Sequence, residues 1–220
     1  MRCFIGIDLS FEAMKEIERL QKIIKPHFVG KTTSNKNLHL TLKFLDEIED
    51  ATLNEVEKKL SSIKHQSFEL TLNGLGVFSQ KFIKMVWVKV TTVPLQPLID
   101  NYLKDIFEPE HRFMGHITIA RVKKIEDKQS FIKLINATTI NKIIFTVREF
   151  YLKESILTNE GPIYKVINKY YVFGHGAQYN LPDKKILMGC YHPSPRNVNT
   201  KRLNVKKMVH LFEKVKELLN

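Results

Sequence analysis

The sequence predicts an α+β protein built from two similar lobes, and three observations carry that prediction. Leu38-His-Leu-Thr-Leu42 and Gly115-His-Ile-Thr-Ile119 repeat one pattern 77 positions apart. In both, His and Thr alternate with aliphatic residues at the period of a strand, so the polar pair shares one face and the aliphatics the other. Helical and alternating stretches then follow one another in a similar order around each copy, up to about residue 152. Finally, no glycine-rich nucleotide loop opens a helix, so short mixed strands and amphipathic helices argue α+β rather than a doubly wound sheet. The economical architecture has two similar lobes, each contributing one motif strand, with the two strands meeting across a cleft.

Taken in order, Cys3 to Leu9 reads as a buried strand. Ser10 has N-cap chemistry, and Ala13-Met14, Ile17, Leu20 and Ile23-Ile24 recur at helical spacing until Pro26 stops the helix. A polar loop, Lys31 to Lys36, leads into the first motif strand. Asp50 is the next expected N-cap, before Leu53, Val56, Leu60 and Ile63 on one helical face. Phe68–Leu72 and Met85–Val90 alternate as strands on either side of a Gly74/Gly76 loop. Pro94 suits the N1 position of a helix whose buried stripe is Leu95, Leu98-Ile99, Tyr102-Leu103 and Ile106. After the second motif strand come a short helix from Asp127 to Asn136 and one long strand from Ile140 to Leu152.

With 43% hydrophobic residues in 220, the chain can build one or two domains with real cores. Its 35 Lys+Arg against 23 Asp+Glu give +12 and a pI near 9.6. Such a field favours polyanions, nucleic acid above all, although a generally lysine-rich proteome would produce the same excess. Cys3 and Cys190 are too few for a disulfide framework or a four-cysteine metal site. The opening apolar run meets Asp8 too soon for a signal peptide, and no apolar stretch approaches the roughly 18 residues that span a bilayer. The expectation is a soluble, cytoplasmic monomer without membrane contact.

Two facing imidazoles can serve as acid and base together, because an unperturbed histidine titrates near neutrality. A threonine two residues along the same face sets a hydroxyl beside each ring, able to donate to a phosphate oxygen. His39 with Thr41 and His116 with Thr118 therefore suit cyclic phosphodiester hydrolysis. Ideal alternation puts Lys43 on the face of His39 and Thr41, where it would neutralise phosphate charge. Arg121 falls on the opposite face from His116 unless the strand twists, bulges or ends. A single strand histidine is more often a hydrogen-bonded core or surface residue than a catalyst; the duplication is what argues otherwise. No Asp, Glu or Cys at ligand spacing joins the pair, which makes a metal centre a poor alternative.

Residues 1–172 resemble the 2H phosphoesterases, specifically the RNA 2′,3′-cyclic phosphodiesterases once called 2′-5′ RNA ligases. The resemblance rests on Arg2-Cys-Phe-Ile-Gly-Ile-Asp8, His39-Leu-Thr-Leu-Lys-Phe-Leu45, Gly76-Val-Phe78 before a Trp87 strand, His116-Ile-Thr-Ile-Ala-Arg121 and the run Leu152 to Tyr164, in that order. It implies a bilobal α+β fold, two pseudo-symmetric lobes with antiparallel sheets facing a central basic cleft and helices outside. It also implies an activity that opens 2′,3′-cyclic phosphates on RNA ends to 2′-phosphates without metal or nucleotide cofactor. In some members it also implies reversible 2′-5′ joining. By the same analogy His39 is the proton donor, His116 the proton acceptor, Thr41 and Thr118 hold the phosphate, and Arg121 matches an arginine the family uses. One departure is Gly115, where members usually carry proline; glycine loosens the backbone entering the strand. A non-catalytic RNA-end-binding module is the alternative from another class.

Residues 173–220 read differently. They hold nine Lys/Arg against three acids, a Pro/Asn-rich loop from Cys190 to Thr200, and an amphipathic helix from Asn204 to Leu219. His175-Gly-Ala and His192-Pro-Ser-Pro-Arg-Asn-Val-Asn-Thr200 are similar to the C-terminal end of iron–sulfur uracil-DNA glycosylases, where this loop contacts DNA near the flipped base. The cluster cysteines and the water-activating motif of those enzymes have no counterpart here. The expectation is a basic appendage that adds phosphate affinity through Arg196, Lys201 and Arg202, with a DNA-repair accessory role as its alternative.

Overall fold

The computed structural model describes residues 1–159, 161–172, 178–180, 185–191, 193–194, 198–199 and 203–219. His175, His192, Arg196, Lys201 and Arg202 lie outside these. The chain forms two compact units, one of Met1–Ile63 with Phe68–Tyr171, the other of Lys64–Ser67 with Val172–Asn220.

The first unit contains two antiparallel sheets. One has the order β3 (His39–Glu47), β1 (Arg2–Asp8), β8 (Glu149–Thr158), β9 (Gly161–Tyr171). The other runs β2 (Val29–Thr32), β6 (His116–Lys124), β5 (Met85–Val90), β4 (Phe68–Val77), β7 (Ile144–Val147). Helices α1 (Phe11–Ile24), α2 (Asp50–Ser61), α3 (Leu95–Leu103) and α4 (Lys128–Ala137) complete it. The lobes are not the two halves of the chain. Strands β1, β3, β8 and β9 from its two ends make one sheet, while β2 crosses over to join the other. The second unit has the short hairpin β10 (Gln178–Asn180) and β11 (Ile186–Met188) and the helix α5 (Val205–Leu219), whose preceding Asn204 accepts the Lys207 N–H.

Local chemistry explains several helix starts. Ser10 Oγ accepts the Ala13 N–H and caps α1, which buries Ala13, Ile17, Leu20 and Ile24. Asp127 caps α4 by accepting the Ser130 N–H. At α2 the N-cap is Glu49, and Asp50 is the first helical residue, where its charge still favours the helix dipole. Gly74 and Gly76 lie within β4 rather than in a loop. The indole of Trp87 lies across Gly76, where a Cβ would come within 2.2 Å of the ring. The stretch from Ile140 to Leu152 is divided between β7 and β8, which belong to different sheets.

The motif strands each carry a bulge at the same place. In β3, Thr41 pairs with Gly6 and Lys43 with Ile5, leaving Leu42 without a counterpart. In β6, Thr118 pairs with Trp87 and Ala120 with Val86, leaving Ile119 over. The Ile119 carbonyl is instead satisfied by the Gln21 side chain and the Thr33 N–H, each at 2.9 Å. A surplus residue reverses the alternation beyond it. Residues three and four past each histidine, Leu42 and Lys43 or Ile119 and Ala120, are consequently all buried.

This corrects the placement of Lys43. Its cross-strand partner Ile5 is fully buried, so the ammonium enters the core side. There Nζ lies 2.5 Å from Asp100 Oδ1 on α3 and donates to the Glu108 carbonyl at 2.7 Å. Asp100 Oδ2 also accepts Gln96 Nε2 at 2.5 Å and the Glu110 N–H at 2.9 Å. The pair ties β3 to the segment that leads into β6. Replacing Lys43 with Met leaves a buried carboxylate without its cation and is expected to cost about 3–5 kcal/mol. The double variant Lys43→Met/Asp100→Asn, which keeps an acceptor for Glu110 or Gln96, should recover much of that loss. Urea unfolding midpoints check this, and a Lys43→Met protein as stable as the parent would refute it.

Candidate active site

Cα atoms of β3 and β6 approach within 8 Å of one another, which brings the two motifs together where the sheets meet. The two strands share one burial pattern residue for residue, starting with a partly exposed histidine, a buried aliphatic and a partly exposed threonine. His39 Nδ1 lies 2.8 Å from the Asn37 carbonyl, and His116 Nδ1 lies 2.8 Å from the Met114 carbonyl. A carbonyl only accepts, so Nδ1 carries the hydrogen in both rings. Nε2 is then the nitrogen left to gain or lose a proton.

Each imidazole is also packed by an aromatic edge. Tyr164 stands against His39 at 4.9 Å between centroids and 82°, and Phe78 stands against His116 at 5.0 Å and 89°. Phe4 adds a second ring at 4.7 Å from His39. These contacts fix ring orientation through shape, complementing the Nδ1 hydrogen bonds. Gly6, opposite Thr41, keeps the floor open, since a Cβ there would meet the Leu40 carbonyl at 3.0 Å and His39 Cδ2 at 3.5 Å.

The electrostatics of the first histidine are distinctive. Burial pushes His39 down to about 4, and the Lys153 ammonium and His116 push the same way. The Asn37 carbonyl and Asp8 oppose them. The ring is therefore neutral at pH 7 in the free protein. Asp8 pairs with His39 across the sheet and forms an ion pair with the buried Lys153, whose Nζ also lies 5.1 Å from the Tyr151 ring centroid. Burial likewise raises Tyr164 above the usual phenol range, while Arg121 and Arg2 draw it down.

As the bulge in β3 buries Lys43, the corresponding bulge in β6 turns Arg121 around. Arg121 pairs with Met85 on the side of Trp87 and Thr118, its Nη1 is 3.8 Å from Met85 Sδ, and its charge reaches Tyr164 beside His39. His39, Thr41, His116, Thr118 and Arg121 thus belong to one face, and Lys43 does not. The counterpart of Arg121 on β3 is Phe44, 63% exposed and 6.3 Å from Phe4. Gly115 is tightly placed: a Cβ would meet Val90 Cγ2 at 2.8 Å, and its carbonyl accepts the Val90 N–H. The strand entry is thereby pinned despite the absent proline ring. Sequence reasoning assigned no part to Phe4, Asp8, Phe78, Lys153 or Tyr164. All five stand in the runs that carry the family resemblance, which was the available signal.

Among the described residues, no group of three or more His, Cys, Asp or Glu is placed to hold a metal ion. No helix among them is long and apolar enough to cross a membrane.

Comparison with known proteins identifies the family. Residues 7–87 and 94–164 match the family model described as LigT like phosphoesterase. The RNA 2′,3′-cyclic phosphodiesterase of Thermotoga maritima is 36% identical over 176 residues, which cover 76% of this chain and 93% of that protein. The Archaeoglobus fulgidus protein of the same name is 30% identical over 172 residues, covering 75% and 97%. The crystal structure of TT0787 from Thermus thermophilus aligns with a TM-score of 0.66 at 22% identity, over 78% of this chain and 98% of that one, a likeness of fold. The two matched segments hold the two motif strands, one each, and on that match the chain belongs to the LigT like phosphoesterase family.

Proposed function

We propose that this protein hydrolyses 2′,3′-cyclic phosphates at RNA ends to 2′-phosphomonoesters, using His39 and His116 as acid and base. The observation that carries the reading is the matched pair of histidines, each with Nδ1 bonded to the carbonyl two residues before it and Nε2 left for proton exchange. The curated relatives named RNA 2′,3′-cyclic phosphodiesterase support the substrate.

In this mechanism His116 takes a proton from water as the oxygen attacks phosphorus, the P–O3′ bond breaks in line, and His39 gives its proton to the departing O3′. Thr41 and Thr118 donate to the non-bridging oxygens, and Arg121 offsets their charge. With a 5′-hydroxyl in place of water, the same steps join two ends by a 2′-5′ linkage: His116 takes the hydroxyl proton, the P–O3′ bond breaks and His39 protonates O3′. The reverse, which re-forms the cyclic phosphate and frees the 5′-hydroxyl, exchanges the histidines' roles. The donor role for His39 requires that it be protonated when substrate is bound. An entering phosphate supplies the nearby negative charge that favours the imidazolium. Residues 173–220 act in this scheme as a basic appendage, with Arg196, Lys201 and Arg202 adding affinity for the RNA backbone.

His39→Ala and His116→Ala are each expected to lower turnover of a cyclic-phosphate-ended oligonucleotide by about 10²-fold or more, with EDTA leaving the parent enzyme near full activity. A 4-nitrophenyl phosphodiester separates the roles. Its leaving group needs no proton, so His39→Ala should retain more of its activity there than His116→Ala. Binding of the oligonucleotide without any new phosphomonoester would instead mark a non-catalytic RNA-end binder. NMR titration of the His39 imidazole should centre near pH 4 in the free protein, with the ring neutral above that, and should move upward when inorganic phosphate is added. An ordinary histidine titration in the free protein would remove the need for phosphate-linked protonation. In the full chain, Arg196→Ala/Lys201→Ala/Arg202→Ala should raise KM for RNA and leave kcat in place; unchanged KM would detach the tail from RNA binding.

A further inference from the structure

The connection between β4 and β5, Phe78-Ser-Gln-Lys-Phe-Ile-Lys84, starts at His116 and is more firmly held than a simple surface loop. Ile83 is 7% exposed and anchors it in the core. The Phe82 N–H donates to Ser79 Oγ at 3.3 Å, the Lys84 carbonyl accepts the Val122 N–H at 2.8 Å, and the Lys81 carbonyl accepts Lys128 Nζ at 2.9 Å. Outside this frame stand Phe78 and Phe82, 53% and 74% exposed, with exposed Lys81 and Lys84.

One exposed apolar side chain on a protein surface calls for no explanation. Two phenylalanines and two lysines projecting from one pinned loop that abuts the candidate catalytic ring are a different matter. Aromatic faces interleaved with cations are what single-stranded nucleic acid uses: bases stack on the rings and phosphates meet the ammonium groups. Because the backbone is already ordered, little further entropy is lost when a strand settles on it. The chain's excess of 35 Lys+Arg over 23 Asp+Glu supplies the complementary charge.

We infer that loop 78–84 is a binding site for the single-stranded RNA that leads up to the cyclic phosphate, with bases stacked on Phe78 and Phe82 and phosphates on Lys81 and Lys84. This rests on the cyclic phosphodiesterase reading and makes the substrate an oligonucleotide rather than a mononucleotide.

The test uses Phe82→Ala and Lys81→Ala/Lys84→Ala, which leave His116 and its Phe78 contact in place. Steady-state kinetics compare a cyclic-phosphate-ended oligoribonucleotide with a nucleoside 2′,3′-cyclic monophosphate. Phe82→Ala is expected to lower kcat/KM for the oligonucleotide roughly 5- to 150-fold, the range of one lost stacking contact, and to leave the mononucleotide unaffected. The double lysine variant should make the dependence of log Kd on log salt shallower by about 1.4. Fluorescence anisotropy with an oligoribonucleotide ending in a 2′-phosphate reads the loop separately from chemistry. If the parent binds this RNA and Phe82→Ala binds it more weakly, the loop assignment stands even if no turnover is found, and only the catalytic reading fails. Equal losses on both kinetic substrates, or RNA binding unchanged by both variants, would overturn the assignment.

Discussion

A strand with one residue more than its neighbour can pair must turn two consecutive side chains to the same side. In β3 and β6 this happens at the third residue past the histidine, at Leu42 and Ile119. The residues just beyond that point take their sides from the bulge. Lys43 and Ala120 go inward, Phe44 and Arg121 rejoin the face of the histidines, and Leu45 and Val122 return to the core. Without the surplus residue, Arg121 would point into the aliphatic interior and Lys43 would stand beside His39. The two strands thus produce one pair of positions with opposite chemistry, an aromatic ring on β3 and a guanidinium on β6.

The inward lysine makes demands of its own. A buried ammonium is tolerable only with a well-placed counter-charge and with its protons satisfied. Asp100 and the Glu108 carbonyl meet that need, and Asp100 in turn holds Gln96 and the Glu110 N–H. The segment fixed in this way ends at Met114, whose carbonyl orients His116. A residue displaced from one histidine therefore helps to set the approach to the other, through a network that buried polar groups keep specific.

The elements that could be read from sequence are those whose signal is local. Ser10 and Asp127 mark helix starts through their own side chains, and both motif strands follow from alternation over a few residues. The bulges divide unequally. In β6, Ile119, Ala120 and Val122 are apolar around Arg121, so the sequence itself breaks the alternation where the strand does. In β3, Leu40, Leu42 and Phe44 alternate without interruption, and nothing in the string shows that Phe44 faces solvent and Lys43 the core. That information lies in the pairing with β1, a partner more than thirty residues away. The short β2 overlaps what reads as a polar loop, because four residues with a central glycine carry almost no periodicity. The sheet memberships of β2, β8 and β9 are equally non-local, since they depend on which edges remain open once the core has closed. At the site, the histidine pair is legible as a repeat, whereas Asp8 and Lys153 matter only because folding sets them beside His39.

The neutral state of His39 in the free protein separates capture from reaction. With that ring uncharged, His39 itself contributes little to drawing in a polyanion, and the attraction comes from Arg121 on the same face and from lysines and arginines elsewhere on the surface. Those outlying charges feel the ionic atmosphere; a buried imidazole does so far less. Salt therefore acts on the capture of a polyanion far more than on the charge state of the buried ring.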